Sequence, residues 1–228
     1  MKHLKVYKVY EANETDEKKP VDNEVDGQGR SERLTTQAQK EYKEGPELQK
    51  KSGPVPAMVF SDVVGSSKMW SDDPVTMIGQ LEAHHKLVDS LASKNKGWIV
   101  KTIGDAFMVY FEPSEYSLFN AIKFSKELIL NEKAYGLRVG VCEGHMDEKT
   151  YSIQKVELRD FFGNAVNAAS RMESKVAEVG GTIAFCSLKP IDNRMSKIQT
   201  LGKVEKVDMS KYDLRGAKVE KAYKMKVK

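Results

Sequence analysis

Two aspartates stand where a folded chain presents acids to a ligand. Asp62 ends a short apolar run, and Asp105 lies between two β-rich runs. Gly65-Ser66-Ser67 follows Asp62 closely, and small residues there leave backbone N–H groups free to surround an anion. Because magnesium prefers carboxylates and substrate phosphates to a cage of protein ligands, these features together predict a magnesium–phosphate site. Taken singly, each aspartate is as well explained as a turn residue.

A second pair of polar residues lies later in the chain. Asn167 and Arg171 are four residues apart, so they share one face of a helix. An amide and a guanidinium that point the same way can hold a ribose and stabilise developing phosphoryl charge. The alternative explanation is an ordinary polar helix face with an i,i+4 contact.

The elements that must position these residues follow from periodicity and turn chemistry. The patterns predict helices over 74–94, 115–131 and 162–176, strands over 57–62, 98–103, 106–111, 137–142 and 182–186, and an edge strand at 223–227. The order β-α-β-β-α-β is that of an α+β, ferredoxin-like split βαβ fold, a mostly antiparallel sheet with helices on one face. In such a sheet the first strand lies beside the hairpin, so Asp62 and Asp105 can reach one point. His84 falls on the apolar stripe of the first long helix, where a core position is favoured over metal or acid–base chemistry.

Residues 1–53 differ in composition from residues 54–228. They are polar and offer little to bury, which predicts a mobile N-terminal segment before a folded domain over 54–228. A weak edge strand at 2–10 and a loose helix at 32–43 are the only elements predicted there. A docking segment for a partner is the alternative interpretation of this region.

Composition excludes several classes of protein. The 228 residues hold 37 Lys and Arg against 33 Asp and Glu, and this net charge of +4 is too mild to indicate a nucleic-acid partner. Two cysteines, Cys142 and Cys186, make neither a disulfide framework nor a zinc site. No apolar run approaches the roughly 20 residues of a membrane helix, and no signal peptide is recognisable. We therefore expect a cytoplasmic protein with no membrane segment in this chain.

Three stretches carry a resemblance to a known family. Phe60-Ser-Asp62-Val-Val-Gly65-Ser-Ser, Lys101-Thr-Ile-Gly-Asp105-Ala-Phe-Met and Asp160-Phe-Phe-Gly-Asn-Ala-Val-Asn167-Ala-Ala-Ser-Arg171 resemble the three signature blocks of class III nucleotidyl cyclases. They occur in the family's order, and the similarity covers about residues 55 to 225. One such block is weak, but three in register are specific.

The resemblance implies a metal and phosphate site. Asp62, Asp105 and the carbonyl of Val63 would bind two Mg²⁺ (or Mn²⁺) per active site. Gly65 and Ser66 would contact the substrate's phosphates.

The resemblance also implies how the nucleotide is recognised. Lys101 and Asp160 match the pair that reads adenine, the lysine donating to a ring nitrogen and the aspartate accepting from the exocyclic amine. Asn167 and Arg171 match the ribose-orienting and transition-state residues. Arg215 stands where the family has a triphosphate-binding lysine before glycine, which keeps the charge and changes its geometry.

The implied activity is conversion of ATP to 3′,5′-cyclic AMP and pyrophosphate. The ribose 3′-hydroxyl attacks the α-phosphate in line, at sites shared across a homodimer. Guanine-reading members resemble the second block but carry Glu at the Lys101 position and a small residue at the Asp160 position, so ATP is the favoured substrate.

Other functions remain open at this stage. A cyclase that uses GTP, UTP or CTP would share most of the site, and a catalytically silent nucleotide-binding regulatory domain would share the fold. Against the silent domain, all six signature residues are present. A diguanylate cyclase or polymerase palm would carry a GG[DE]EF-type hairpin, which residues 103–107 do not match. An RNA binder would show aromatic stacking positions among basic charge, and that pattern is missing from the sequence.

Overall fold

The computed structural model describes residues 53–153, 155–179 and 181–227. The elements predicted at 2–10 and 32–43 lie outside the described residues. The strands are β1 (Ala57–Val63), β2 (Gly97–Ile103), β3 (Ala106–Phe111), β4 (Leu137–Glu143), β5 (Asp147–Ile153), β6 (Val156–Phe162), β7 (Thr182–Ser187), β8 (Val204–Lys206) and β9 (Ala222–Lys226). The helices are α1 (Ser66–Asp72), α2 (Pro74–Lys94), α3 (Ser117–Asn131), α4 (Asn164–Arg171) and α5 (Met195–Gln199), with a π-helical turn at Met172–Val176.

Seven of the described strands form one sheet in the order β2-β3-β1-β4-β7-β9-β8. All neighbours in it are antiparallel except β4 and β7, which run parallel. Its first four strands have the predicted ferredoxin-like arrangement, so the fold class is confirmed. Strands β5 and β6 form a separate hairpin, which the sequence reasoning did not predict.

The helices cover both faces of the sheet, so the expectation that they lie on one face was wrong. Helices α2 and α3 pack on one face, against residues such as Val59 and Val141. Helix α4 packs on the opposite face, where Ala169 lies beside Met58 and Cys142. The reason is visible in β1 and β4, which are apolar at successive positions and therefore need cover on both sides.

Gly140 of β4 allows α4 to approach the sheet closely. A Cβ at this position would lie 2.1 Å from the backbone nitrogen of Glu173 and 2.3 Å from the carbonyl oxygen of Ala169. Any larger residue would push the helix away from the strand. This glycine therefore sets the distance between the sheet and the end of α4.

Two predictions are corrected, one on the bounds of a helix and one on the place of a strand in the sheet. The helix expected over 162–176 begins at Asn164, because β6 continues to Phe162. It is α-helical as far as Arg171 and continues as a π-helical turn over Met172–Val176. Strand β9 was expected at an edge, but it lies between β7 and the three-residue β8. Because β8 has only three residues, it gives almost no periodic signal in the sequence. With β8 undetected, the pattern predicts that β9 is the last strand of the sheet.

The start of α2 is as predicted. Asp73 caps the helix, its Oδ1 accepting from the backbone nitrogen of Thr76 at 3.0 Å, and Pro74 occupies the first turn.

In the described ranges, no helix combines the length and apolar character needed to cross a bilayer.

Candidate active site

The two predicted metal aspartates lie at the same edge of the sheet. Asp62 is near the end of β1, and Asp105 is in the turn between β2 and β3, where β3 pairs directly with β1. The backbone nitrogen of Val63 donates to Oδ2 of Asp105 at 3.3 Å. The structure therefore brings Asp62, Val63 and Asp105 together, as the sheet order predicted.

Arg138 is the direct cross-strand partner of Asp62, on β4. Its Nη2 donates to Oδ2 of Asp62, and this contact raises the pKa of the guanidinium. Its Nε lies 3.2 Å from Oε1 of Glu173, close enough for an ion pair although without hydrogen-bond geometry toward any described residue. Sequence reasoning missed both residues. The available signal was a lone arginine in the otherwise apolar strand 137–142, at a register that places it opposite an acid.

Glu173 is an unusual carboxylate. It lies in the π-helical turn, with its side chain only 12% exposed. Burial raises the pKa of Glu173 to about 7, and the negative charge of Asp62 adds to this, while Arg138 opposes it. Arg138 therefore lies between Asp62 and Glu173. We call Asp62, Val63 and Asp105 the acidic centre, and Arg138 supplies positive charge beside it.

The small residues after Val63 turn the chain into α1. Gly65 has φ +77°, in the left-handed region that favours glycine, and the space beside its Cα is open. The preceding residue is fixed, since the backbone nitrogen of Val64 donates to the carbonyl of Gly136 at 2.9 Å. Gly65 and Ser66 thus lie directly beside the acidic centre, with Gly65 exposed and Ser66 half-buried.

The predicted base-reading pair is formed within one chain. Nζ of Lys101, on β2, lies 2.5 Å from Oδ2 of Asp160, on β6. The other oxygen of Asp160 accepts from the backbone nitrogen of Phe161 at 2.8 Å. Phe161 in turn stacks on Tyr110, with ring centroids 4.2 Å apart, and this contact anchors β6 to the main sheet. The Lys101–Asp160 pair is therefore held in place by the packing of Phe161 on Tyr110.

The third predicted group also assembles. Nδ2 of Asn167 donates to the carbonyl of Gly216 at 3.2 Å, and Nε of Arg171 donates to the carbonyl of Arg215 at 3.2 Å. These contacts bring the 213–217 loop beside α4. The Arg215 side chain is 87% exposed and pairs with Asp213, with 2.7 Å between Nε and Oδ2. Its guanidinium is thus on the surface beside the Asn167 and Arg171 pair.

The acidic centre is not bonded directly to either of the other two groups. Among the described residues, neither Asp62 nor Asp105 shares a hydrogen bond or ion pair with Lys101, Asp160 or the α4 pair. The described part of the chain also holds no cluster of three or more His, Cys, Asp or Glu side chains placed to bind a metal. Two carboxylates and a backbone carbonyl fit a magnesium ion whose remaining ligands come from substrate and water.

A cavity of about 610 Å³ lies away from these groups. It is lined by residues such as Val55, Glu143 and Arg194. Because Glu143 pairs with Ala57 at the start of β1, this cavity is at the opposite end of the strand from Asp62. It does not contain any residue predicted to act on a nucleotide.

Comparison with known proteins decides the family. Residues 48–226 match the family model described as the adenylate and guanylate cyclase catalytic domain. The chain belongs to this family. Cyclases of this family generally use divalent metals, which agrees with the chemistry of the acidic centre.

Individual relatives are distant and mostly much longer. The receptor-type adenylate cyclase GRESAG 4.3 of Trypanosoma brucei brucei is 28% identical over 197 residues, which cover 66% of this chain and 16% of that protein. Among solved structures, an adenylate cyclase of Trypanosoma brucei in its monomeric state has a TM-score of 0.61 at 23% identity, covering 75% of this chain and 88% of that one. A dimeric guanylyl cyclase domain from Blastocladiella emersonii has a TM-score of 0.59 at 18% identity, covering 75% and 96%. These two structures share the cyclase fold.

Proposed function

We propose that this cyclase domain is an adenylate cyclase that converts ATP to 3′,5′-cyclic AMP and pyrophosphate. The observation that carries the proposal is the Lys101–Asp160 ion pair. A cationic donor beside an anionic acceptor complements the ring nitrogen and exocyclic amine of adenine. In the orientation that fits adenine, guanine would present a ring N–H to Lys101 and a carbonyl to Asp160, so both contacts would be mismatched. The similarity to a receptor-type adenylate cyclase supports the same choice.

The acidic centre is where the cations of the reaction would be held. Asp62, the carbonyl of Val63 and Asp105 would ligate two Mg²⁺ (or Mn²⁺). A bound divalent cation supplies Lewis acidity that lowers the pKa of a hydroxyl and offsets triphosphate charge. The guanidinium of Arg138 remains beside Asp62 as further positive charge at this edge of the sheet.

The remaining residues bind and orient the nucleotide. Lys101 and Asp160 hold the base, and Asn167 orients the ribose so that its 3′-oxygen faces the α-phosphorus. Arg171 stabilises the charge that develops on the α-phosphoryl group as pyrophosphate leaves. Arg215 contacts the triphosphate from the neighbouring loop, with Gly65 and Ser66 on the acidic side.

We infer that the active unit is a homodimer. Among the described residues, the acidic centre shares no hydrogen bond or ion pair with the nucleotide-reading groups, and this supports a site that a second copy completes. Hairpin β5–β6 also carries an exposed apolar face made by two cross-strand pairs, Tyr151 with Leu158 and Ile153 with Val156. Asp160 lies on the same face, since it is two residues from Leu158. A second copy that covers this face would meet the base-reading pair.

A product assay on the purified protein tests the proposal. ATP, GTP, CTP and UTP are supplied separately with Mg²⁺ and then with Mn²⁺, and the cyclic monophosphate and pyrophosphate are measured by chromatography. Cyclic AMP alone is the expected product. A different cyclic nucleotide would overturn the base assignment, and the absence of product from folded, dimeric protein would favour a silent nucleotide-binding domain.

A further inference from the structure

A buried polar pair lies behind the acidic centre, between α2 and the end of α3. Nδ1 of His84 donates to Oε2 of Glu132 at 2.5 Å, with the two side chains 1% and 7% exposed. The other carboxylate oxygen of Glu132 accepts from the backbone nitrogen of Ala134 at 2.8 Å. Glu132 therefore ties α2 to the segment 132–136 that leads into β4.

His84 contacts β3, the strand that begins directly after Asp105. Its ring meets that of Phe107 edge-on, with centroids 5.3 Å apart, and His85 meets the same ring at 4.7 Å. Phe107 is two residues beyond Asp105 and is the register partner of Ser61, which precedes Asp62. The imidazole of His84 thus packs against Phe107, the residue that lies close to Asp105 in sequence and pairs with the neighbour of Asp62.

The same imidazole contacts the segment that supports the Val63 backbone. Tyr135 meets His84 edge-on at 5.9 Å, and the next residue, Gly136, accepts the hydrogen bond from Val64. Burial raises the pKa of the Tyr135 hydroxyl, and the negative charges of Glu132 and Asp105 are smaller causes. His84 consequently contacts both Phe107, which follows Asp105, and Tyr135, which precedes the residue that binds the Val64 backbone.

A buried polar pair is not the most stabilising way to join two helices. Apolar side chains of similar volume would hold α2 against α3 at least as well, because burying a hydrogen-bonded charge costs desolvation energy. What such a pair adds is fixed geometry, and metal sites need ligands held to within about 0.5 Å.

We propose that His84 and Glu132 are positioning residues that hold Asp105 and the Val63–Val64 backbone at the spacing required by the catalytic cations. The inference rests on the proposed cyclase function. Residues that orient metal ligands in other proteins typically contribute 10- to 100-fold to metal affinity or activity, roughly the size expected here.

The chain offers a matched control. Asn95 Nδ2 donates to Oε2 of Glu127 at 2.8 Å and so also joins α2 to α3. Its partner Glu127 pairs with Lys94 as well, at 3.1 Å. Neither Asn95 nor Glu127 is in the aromatic cluster of His84, Phe107 and Tyr135. Glu127→Gln therefore alters a polar link between the same helices without altering the support of the acids.

The experiment compares Glu132→Gln, His84→Phe and Glu127→Gln with the wild-type protein. His84→Phe keeps the ring and removes the donor, whereas His84→Asn restores a donor near the Nδ1 position. Half-saturating Mg²⁺, kcat and KM for ATP are measured, together with thermal unfolding and hydrogen exchange by mass spectrometry. We expect half-saturating Mg²⁺ to rise about tenfold or more in Glu132→Gln and His84→Phe, with partial recovery in His84→Asn and no change in Glu127→Gln.

Hydrogen exchange separates this inference from the proposed function. Amides in 61–66 and 103–108 should exchange faster in Glu132→Gln and His84→Phe, whether or not the protein makes cyclic AMP. Uniformly faster exchange across α2 and α3, with unchanged Mg²⁺ dependence, would overturn the proposal and leave the pair a purely structural link. An inactive wild-type protein that still shows the local exchange change would refute the function and retain the positioning role. Should His84→Phe fail to fold, Glu132→Gln carries the same comparison.

Discussion

Asp62 and Asp105 have different surroundings, although both belong to the acidic centre. Asp62 is paired with Arg138, so its charge is already partly compensated. Asp105 accepts one backbone hydrogen bond and has no basic side chain bonded to it among the described residues. Asp105 is thus the acid whose charge is more available to a cation, and its removal should affect the cation more than the fold.

Asp105→Asn tests this directly. The amide keeps the size of the side chain and removes the charge, so we expect activity with Mg²⁺ to fall by at least about a hundredfold. The melting temperature should stay close to that of the wild type, because Asp105 is half-buried at a turn. Asp89→Asn, an exposed acid on α2, is the control and should be fully active. Near-normal activity in Asp105→Asn would remove this residue from the metal site.

Glu173 gives a prediction for pH. Its pKa is raised from 4.5 to about 7, so the folded state binds an extra proton between these values. The free energy of unfolding should therefore fall as pH rises from about 4.5 to about 7, by up to about 3 kcal/mol from this group, and then level off. Glu173→Gln should lose this part of the slope. Urea unfolding of both proteins from about pH 5 to about pH 8 measures it; identical slopes would mean that Glu173 ionises normally.

Among the elements, hairpin β5–β6 depends most on what covers it. Its inner side is held by Phe161, whereas Tyr151, Ile153, Val156 and Leu158 on the other side are each more than 40% exposed. Exposed apolar faces of this kind mark contact surfaces. The hairpin is therefore the element at which a variant should separate dimerisation from folding.

Leu158→Glu places a charge in the middle of this face. We expect dimer dissociation to become at least about tenfold easier, because a buried unpaired charge is costly at an interface. Activity should decrease in parallel and recover at high protein concentration. Thr150→Glu, on the opposite face of the same hairpin, is the matched control. Sedimentation velocity measures the association, and an unchanged dimer in Leu158→Glu would exclude this face from the interface.

At the scale of the whole molecule, one chain carries both proposed groups of site residues, the acids and the α4 pair. If the acids of one protomer and the Arg171 side chain of the other act in the same active site, Asp62→Ala and Arg171→Ala should each be inactive alone. Mixed dimers would rebuild one of two sites, and random pairing predicts recovery of about one quarter of wild-type activity. Activity assays on the mixture, with mixed dimers verified by differently tagged chains, measure the recovery. If verified mixed dimers stay inactive, the two halves do not combine across protomers.

Much of the local structure was predictable because it depends on neighbours in sequence. The cap at Asp73, the turn at Gly104-Asp105 and the helical spacing of Asn167 and Arg171 are set by backbone preference and periodicity. The order of the four ferredoxin-like strands, β2-β3-β1-β4, also followed, since few arrangements satisfy β-α-β-β-α-β. These rules were enough to predict that Asp62 and Asp105 lie at the same edge of the sheet.

The sequence by itself thus determined the family and the elements that carry the six signature residues, while the tertiary structure decided which distant groups contact them. Arg138 lies 76 residues from Asp62, and only the β1–β4 register makes them partners. His84 was correctly predicted to be buried, but its bond to Glu132 follows from how α2 crosses the end of α3. Periodicity reports which side of an element is buried and carries no information on what covers it. Contacts between distant segments depend on the packing of the whole sheet.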